Sequence, residues 1–322
     1  MRHSTICVLG GTGFVGKHLV ALLSDRGYSI RIPSRRRERH RDLLVLPTVE
    51  VVEANVHDPA VLRQQVAGCD AVINLVGILN EKGSDGSGFR RVHVELARKV
   101  VEACRNTGVR RLLHMSALGA DAHEGPSHYL YTKGEAEDLV HAAAGEDLHV
   151  TSFRPSVIFG PGDSFFNRFA ALLRLSPWFF PLACPDSRFA PVYVGDVVEA
   201  YRRALEEREA HGRRYDLCGP RTYTLKELVE YTAECIGRHR TVIGLNDRLS
   251  YLQARVLEWV PGKPMSRDNY LSLQMDNVCP AGSALEELGI TPTSIEAVVP
   301  QYLAHRSHRD HYMDYRRRAR RG

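Results

Sequence analysis

Tyr129-Leu130-Tyr131-Thr132-Lys133 sets a phenol and an ammonium four residues apart. On a helix those positions share a face, so the positive charge lies near the phenol. A neighbouring cation lowers a tyrosine pKa from about 10 towards working pH, which makes the hydroxyl a usable proton donor or acceptor. Ser116 stands 13 residues before Tyr129, where its hydroxyl can hydrogen-bond a substrate oxygen. The same spacing also arises as a plain structural pair. It gains chemical meaning from a second motif near the N-terminus.

That motif is Val8-Leu9-Gly10-Gly11-Thr12-Gly13-Phe14-Val15-Gly16. An apolar run, Ile6 to Leu9, leads in, and a helical pattern (Phe14, His18, Leu22, then Gly27) leads out. A strand, a glycine turn and a helix bring the backbone close to a pyrophosphate, held on free N–H groups and the positive dipole end of the helix. Two registers fit, Gly11-x-Gly13-x-x-Gly16 and Gly10-x-x-Gly13-x-x-Gly16. A site specific for NAD places an acid about 20 residues beyond the glycines, against the ribose 2′-hydroxyl. Here the stretch reads Pro33-Ser34-Arg35-Arg36-Arg37, with no acid until Glu38. A hydroxyl followed by guanidinium forks suits a 2′-phosphate. NADP(H) is the expected cofactor; a solvated basic helix start is the alternative.

These residues need an alternating scaffold. Tyr28 to Ile32, Val49 to Glu53, Ala71 to Gly77, Arg110 to Met115 and His149 to Phe153 read as further strands. Helices are expected over Pro59 to Ala67, Phe89 to Asn106 (stopped by Gly108) and Ser127 to Ala144. The fold class is α/β: a doubly wound parallel sheet (Rossmann) with a small C-terminal substrate-side α+β region. Ligand crevices lie at the carboxyl ends of such strands. That adds Asn74, Val76, Gly77 and Pro155 to Gly10, Thr12, Gly13, Phe14, Val15, Gly16, Ser34, Arg35, Arg36 and Lys133 as candidate cofactor contacts. Residues 1–155 form the expected NADP(H)-binding domain. Residues 156–304 form a smaller substrate-side region interleaved with it, and 305–322 a flexible basic tail.

Later elements are less regular. Prolines 177 and 181 exclude a continuous helix through Phe169 to Pro185. Its Trp178, Phe179, Phe180 and Leu182 are expected to form an apolar lip over the cleft, suited to an apolar substrate such as a prenylated quinone precursor, or else ordinary core. A short strand over Val192 to Gly195 precedes helices over Asp196 to Glu207 and Thr224 to Gly237. Asp247 to Val260 is an amphipathic helix, capped by Asp247 and ended by Pro261.

At 43% hydrophobic and 25% charged the composition is that of an ordinary globular protein. Seven unpatterned cysteines without a secretory leader read as reduced, mostly buried thiols in a cytoplasmic compartment, with no metal site. From His305 to Gly322, seven arginines against Asp310 and Asp314 carry the whole net charge of +5, leaving 36 basic and 36 acidic residues elsewhere. A neutral body argues against nucleic-acid binding. The tail is a candidate for peripheral attachment to an anionic inner-membrane face. No run reaches the ~18 apolar residues a membrane span needs.

Gly10, Gly13, Gly16, Ser116, Tyr129 and Lys133 together resemble the short-chain dehydrogenase/reductase family, in its cofactor loop and catalytic triad. The likeness continues through Arg154-Pro155-Ser156-Val157-Ile158-Phe159-Gly160-Pro161-Gly162-Asp163, a loop that in the family passes beside the nicotinamide. Ile73 to Leu79, His114 to Ala120, Phe165 to Phe169, Pro191 to Val197 and Gly262 to Asn269 narrow it. They resemble the atypical members related to the nucleotide-binding accessory subunit of mitochondrial respiratory complex I, in bacterial form. The resemblance implies NADP(H) binding. It also implies a structural role in the mitochondrial case and a connection with ubiquinone biosynthesis in others. His93 stands where sugar-nucleotide enzymes usually have Asn, and reads as a supporting residue rather than a proton carrier.

Three readings follow. The first is an NADP(H)-dependent oxidoreductase acting on a small apolar substrate, with Tyr129 as general acid/base, Lys133 tuning it and Ser116 orienting the substrate oxygen. The second is a non-catalytic, NADPH-bound module that stabilises a respiratory assembly. The third is a sugar-nucleotide epimerase or dehydratase, disfavoured because in those the Ser or Thr lies about twice as far before the Tyr.

Overall fold

The computed structural model describes residues 4–176, 178–261 and 263–303; the expected tail from His305 lies outside them. The chain opens with β1 (Thr5–Leu9), α1 (Phe14–Asp25), β2 (Ser29–Ser34), β3 (Val49–Glu53), α2 (Pro59–Val66) and β4 (Ala71–Asn74). Asp58 caps α2 by accepting from the Ala60 and Val61 amides. A helical stretch follows in three pieces: α3 (Ser87–Arg90), a π-helical turn over Arg91–Glu95, and α4 (Leu96–Thr107). Gly108, in the left-handed conformation, closes it. Then come β5 (Arg111–Met115), α5 (His128–Ala142) and β6 (His149–Pro155).

Beyond Pro155 the elements shorten. They are β7 (Ile158–Phe159), α6 (Phe166–Leu175), β8 (Phe179–Leu182), β9 (Arg188–Phe189), β10 (Val192–Tyr193), α7 (Val194–Glu206), β11 (Arg214–Leu217), β12 (Tyr223–Thr224), α8 (Leu225–Cys235), β13 (Thr241–Gly244), α9 (Asp247–Leu257), α10 (Arg267–Leu273) and α11 (Ile295–Leu303).

Seven strands form one sheet in the order β11-β6-β5-β4-β1-β2-β3, with every pairing parallel. This is the expected doubly wound α/β sheet. Its strand order reverses between β1 and β4, and the crevice that opens there is where such sheets bind ligands. Leu19, Leu23, Val197, Val198 and Tyr201 cover one face from α1 and α7. Leu62, Val66, Val100, Cys104 and Val140 cover the other from α2, α4 and α5. The last strand, β11, comes from the second half of the chain and pairs with β6. A third core, around Phe159, Phe166, Leu173, Leu228 and Val299, belongs to the smaller region.

Several details depart from expectation. Helix α7 begins at Val194, two residues before the expected Asp196, and the Asp196 carboxylate in its first turn accepts from the Thr293 amide (2.7 Å) and hydroxyl (3.0 Å). Asn246, not Asp247, caps α9 through the Leu249 amide; Asp247 accepts from the Tyr270 hydroxyl instead. The thiols are not all reduced. Cys218 and Cys279, 61 residues apart, form a disulfide. No local spacing announces it, because the pair meets only where Asn277 folds back onto Ala190 and Ser156.

Candidate active site

The loop after β1 is built for a close approach. Gly10 has φ +80°, and a Cβ on Gly16 would lie 2.3 Å from the Gly10 carbonyl oxygen. Only glycine allows α1 to start that near the strand. Gly13 precedes α1 with no side-chain cap, and the first turn, with Phe14, Val15 and Gly16, contains no acid. The amides of that turn therefore keep their donor capacity for an anion at the positive end of the helix. Thr12 and Phe14 are half-buried beside them. From the loop after β7, the Pro161 carbonyl reaches His18 at 3.1 Å, closing one side.

At the end of β2, Ser34 is buried and its hydroxyl accepts from the Arg36 amide. Arg35 and Arg36 are exposed, and neither guanidinium pairs with an acid among the described residues. Glu38, the first acid, is engaged by Arg41. The Arg35 charge contributes to holding the His57 pKa below its usual value, after burial, Lys99 and Arg91.

The crevice centre is formed by β4, β5 and α5. Asn74 accepts from the Val76 amide and faces His114 Nδ1 at 3.4 Å. Gly77 is exposed beneath Lys133, whose Nζ would lie 3.1 Å from a Cβ placed there. Lys133 Nζ donates to the Met115 carbonyl (2.9 Å), one residue before Ser116. Ser116 is buried, and its hydroxyl has no partner among the described residues. Pro155 ends β6 alongside, its carbonyl accepting from the Leu118 amide.

Helix α5 aims Tyr129 and Lys133 at that centre. Ser127 caps it through the Leu130 amide, and Asp268 of α10 accepts from the His128 (2.7 Å) and Tyr129 (3.3 Å) amides. The Tyr129 ring lies edge-on to Phe89 and His93. The expected lowering of the phenol does not occur. Burial, then the Asp268 carboxylate, pushes Tyr129 up to about 12, while the lysine is directed to a carbonyl. Burial takes Lys133 down to about 8, partly offset by Glu137. Glu137 is fully buried between Arg154 and Arg214.

His93 sits on the π-helical turn, where the wider coil carries its ring inward. Its Nε2 accepts from the Ile78 amide and its Nδ1 meets Thr132 Oγ at 2.9 Å. The Nδ1 tautomer is thereby fixed, and burial depresses its pKa to about 2. It is a neutral positioning residue, as expected. The sequence reading gave no site role to Asp268 or His114, although both lie in stretches that carry the resemblance, Gly262 to Asn269 and His114 to Ala120; His114 carries a further signal as a lone polar residue in the apolar run Leu112 to Met115.

Next to the N-terminal turn of α5 is a cavity of about 280 Å³, lined by Asn80, Phe89, His128, Tyr251, Lys263, Asp268 and Leu271 among others. It adjoins Tyr129 through Phe89 and His128, and gives the crevice a mixed polar and apolar side room. The expected lip is divided: Phe180 and Leu182 pack into or against the small core, but Trp178 and Phe179 are exposed, at 82% and 55%.

A model of the NAD dependent epimerase/dehydratase family matches residues 6–218. The mouse mitochondrial NADH dehydrogenase [ubiquinone] 1 alpha subcomplex subunit 9 is 30% identical, the match covering 94% of this chain and 80% of the relative. A ceramide reductase of Caulobacter vibrioides is 34% identical over 59% of this chain and 57% of its own. Among solved structures, an NADPH-dependent quinone oxidoreductase from Escherichia coli, complexed with NADPH, superposes with a TM-score of 0.73 at 17% identity. That match covers 93% of this chain and all of the other.

Proposed function

Because the chain belongs to the NAD dependent epimerase/dehydratase family, we propose that it is an NADP(H)-dependent reductase of an apolar carbonyl substrate. The observation that carries this is the buried Ser116 hydroxyl, unpartnered among the described residues and set beside the Lys133–Met115 contact. A buried hydroxyl without a partner is costly to keep. A substrate oxygen would supply that partner.

The cofactor, when bound, supplies hydride from C4 of its nicotinamide. The chain does the rest. Amides of the α1 N-terminus hold the pyrophosphate, and Ser34, Arg35 and Arg36 hold the 2′-phosphate. Ser116 Oγ donates to the carbonyl oxygen. Tyr129, pushed up to about 12 by burial and Asp268, is a neutral phenol at pH 7 and gives its proton to the same oxygen as negative charge develops there. Lys133, anchored on the Met115 carbonyl, holds the nicotinamide ribose. A phenol protonated at rest favours reduction over oxidation.

The apolar substrate class is supported by the ceramide reductase relative, and a place at the cytoplasmic face of the inner membrane would suit it. A second reading, a non-catalytic cofactor-bound subunit of a respiratory assembly, is favoured by similarity to the mouse subunit along nearly the whole chain. The deciding measurement is NADPH oxidation by the purified protein with long-chain ketones and prenylated quinones. Turnover that disappears in Tyr129→Phe supports the enzyme. No turnover with any of them, together with failed respiratory assembly only when the glycine loop is altered, supports the subunit.

A further inference from the structure

Helix α9 presents a stripe of apolar side chains to solvent. Leu249, Leu252 and Val256 follow the 3- and 4-residue spacing of one helical face, continued by Trp259 in the turn after it. They are 47%, 52%, 57% and 87% exposed. The inward face is a different one: Ser250 and Ala254 are buried, and Gln253 donates to the Pro181 carbonyl of β8. Beside that contact the β8–β13 ribbon also turns apolar groups outward. Phe179 pairs with Thr241 and Pro181 with Ile243, all on the exposed side.

Charge distinguishes this surface from the rest of the body. Residues 238–267 hold six Lys or Arg against Asp247 and Glu258, whereas residues 1–304 as a whole balance at 36 each. Both acids are engaged, Asp247 by Tyr270 and Glu258 by Arg267. Arg248 and Arg255 are exposed on the edge of the stripe.

We propose that α9 docks flat on a bilayer containing anionic lipid, with the Leu249–Trp259 stripe in the headgroup–acyl boundary and its arginines on the phosphates. An apolar stripe with an interfacial tryptophan and flanking basic residues is the pattern of helices that lie in the membrane surface rather than cross it. None of the described helices is long and apolar enough to cross. A second copy of the chain fits less well, since two-fold pairing would set each basic flank against its equivalent. The chain's own C-terminal segment, with seven arginines over 305–322, fits less well for the same reason. Tyr251, on the same helix, lines the cavity beside the α5 N-terminus, so a docked helix places that cavity at the lipid surface. This last point rests on the reductase reading; the docking does not.

The test is co-sedimentation of the full-length protein with vesicles of 30% phosphatidylglycerol in phosphatidylcholine, and with pure phosphatidylcholine, at low and high salt. The expected result is binding to the anionic vesicles that falls at least tenfold in Leu252→Glu/Trp259→Glu, since each exposed side chain loses its insertion and adds a charge. Arg248→Gln and Arg255→Gln should each cost about fivefold and flatten the salt dependence. Removing residues 304–322 should leave the stripe's contribution in place. Absence of wild-type binding overturns the proposal, as does equal binding by the double variant. So does sedimentation as a dimer that the double variant converts to monomer, which would assign the stripe to a second copy. Tyr129→Phe should bind vesicles as wild type does, so loss of turnover and loss of docking stay separate.

Discussion

Lys133 Nζ is held 2.9 Å from the Met115 carbonyl oxygen, so the ammonium of the Tyr-x-x-x-Lys pair is fixed to the last residue of β5, next to Ser116. Burial lowers its pKa from 10.5 to about 8. A base whose folded pKa is depressed binds fewer protons folded than unfolded between the two values, so stability should rise with pH from 8 to 10.5. The span corresponds to about 3 kcal/mol at most. Lys133→Met should therefore raise the denaturant midpoint at pH 7, less the cost of freeing the Met115 carbonyl, and should remove the alkaline gain. Urea titrations of both proteins at pH 7 and pH 10 measure the difference directly. Cofactor affinity should fall in the same variant.

His93 makes the opposite end of the pH range informative. Its pKa drops from 6.5 to about 2 because it is buried, with the Lys133 charge and then His114 beside it. Stability from this group is present above pH 6.5 and is lost as pH falls towards the folded value. His93→Asn should reduce the slope of stability against pH between 6.5 and 4 by about one proton. An unchanged slope would mean the imidazole is already charged in the folded protein.

The sheet and the glycine loop were legible because each depends on local pattern. Ile6 to Leu9, Ala71 to Asn74 and Leu112 to Met115 are apolar runs bounded by turn residues, and Gly10 to Gly16 can take few other roles between a strand and a helix. What escaped depends on distant parts of the chain. Asp268 reaches α5 from 139 or 140 residues away, and Cys218 meets Cys279 only through the folding of the loop around Asn277. The Tyr129 pKa escaped for a related reason: spacing puts Lys133 on the right face, but it cannot show that a carbonyl claims the ammonium. Trp178 was expected in an apolar lip over the cleft or in ordinary core, and Trp259 fell within the amphipathic stretch Asp247 to Val260; only the fold shows both facing outward.

Asp268 holds the first turn of α5 and raises the phenol at once. Asp268→Asn keeps a side-chain oxygen for the His128 or Tyr129 amide while removing the charge. It should cost about 1 kcal/mol of stability and shift the alkaline limb of the pH–rate profile downwards, because the carboxylate is the second cause of the raised Tyr129 pKa. A limb that stays in place would dissociate Asp268 from the phenol.

Arg35 and Arg36, exposed and paired with no acid among the described residues, should decide between the two nicotinamide cofactors. Arg35→Asp puts a carboxylate where the 2′-phosphate is expected. Affinity for NADPH should fall by roughly 100-fold, the worth of a charge-assisted bidentate contact replaced by repulsion, while affinity for NADH changes little. Calorimetric titration with both nucleotides measures this. Equal affinities in the parent protein would leave the arginines as ordinary surface.

Ser116 and Tyr129 separate catalysis from scaffold most cleanly. The Ser116 hydroxyl is buried and unpartnered, so Ser116→Ala removes an unsatisfied group and should leave stability unchanged or raise it by about 1 kcal/mol. A residue kept only for structure shows no further effect. If the hydroxyl serves a substrate oxygen, the same change should lower kcat/KM by about 10-fold or more, since a donor aimed at developing charge is lost. Tyr129→Phe should leave NADPH affinity near wild type and lower turnover roughly 10²–10⁴-fold, the usual contribution of one positioned acid. In cells lacking the native copy, normal quinone content and respiratory-complex assembly with both variants, but not with Gly13→Glu in the cofactor loop, would assign the protein to the non-catalytic reading. A stability gain in Ser116→Ala joined to a loss of turnover is the outcome that only the enzyme predicts, because there the hydroxyl's missing partner is the substrate.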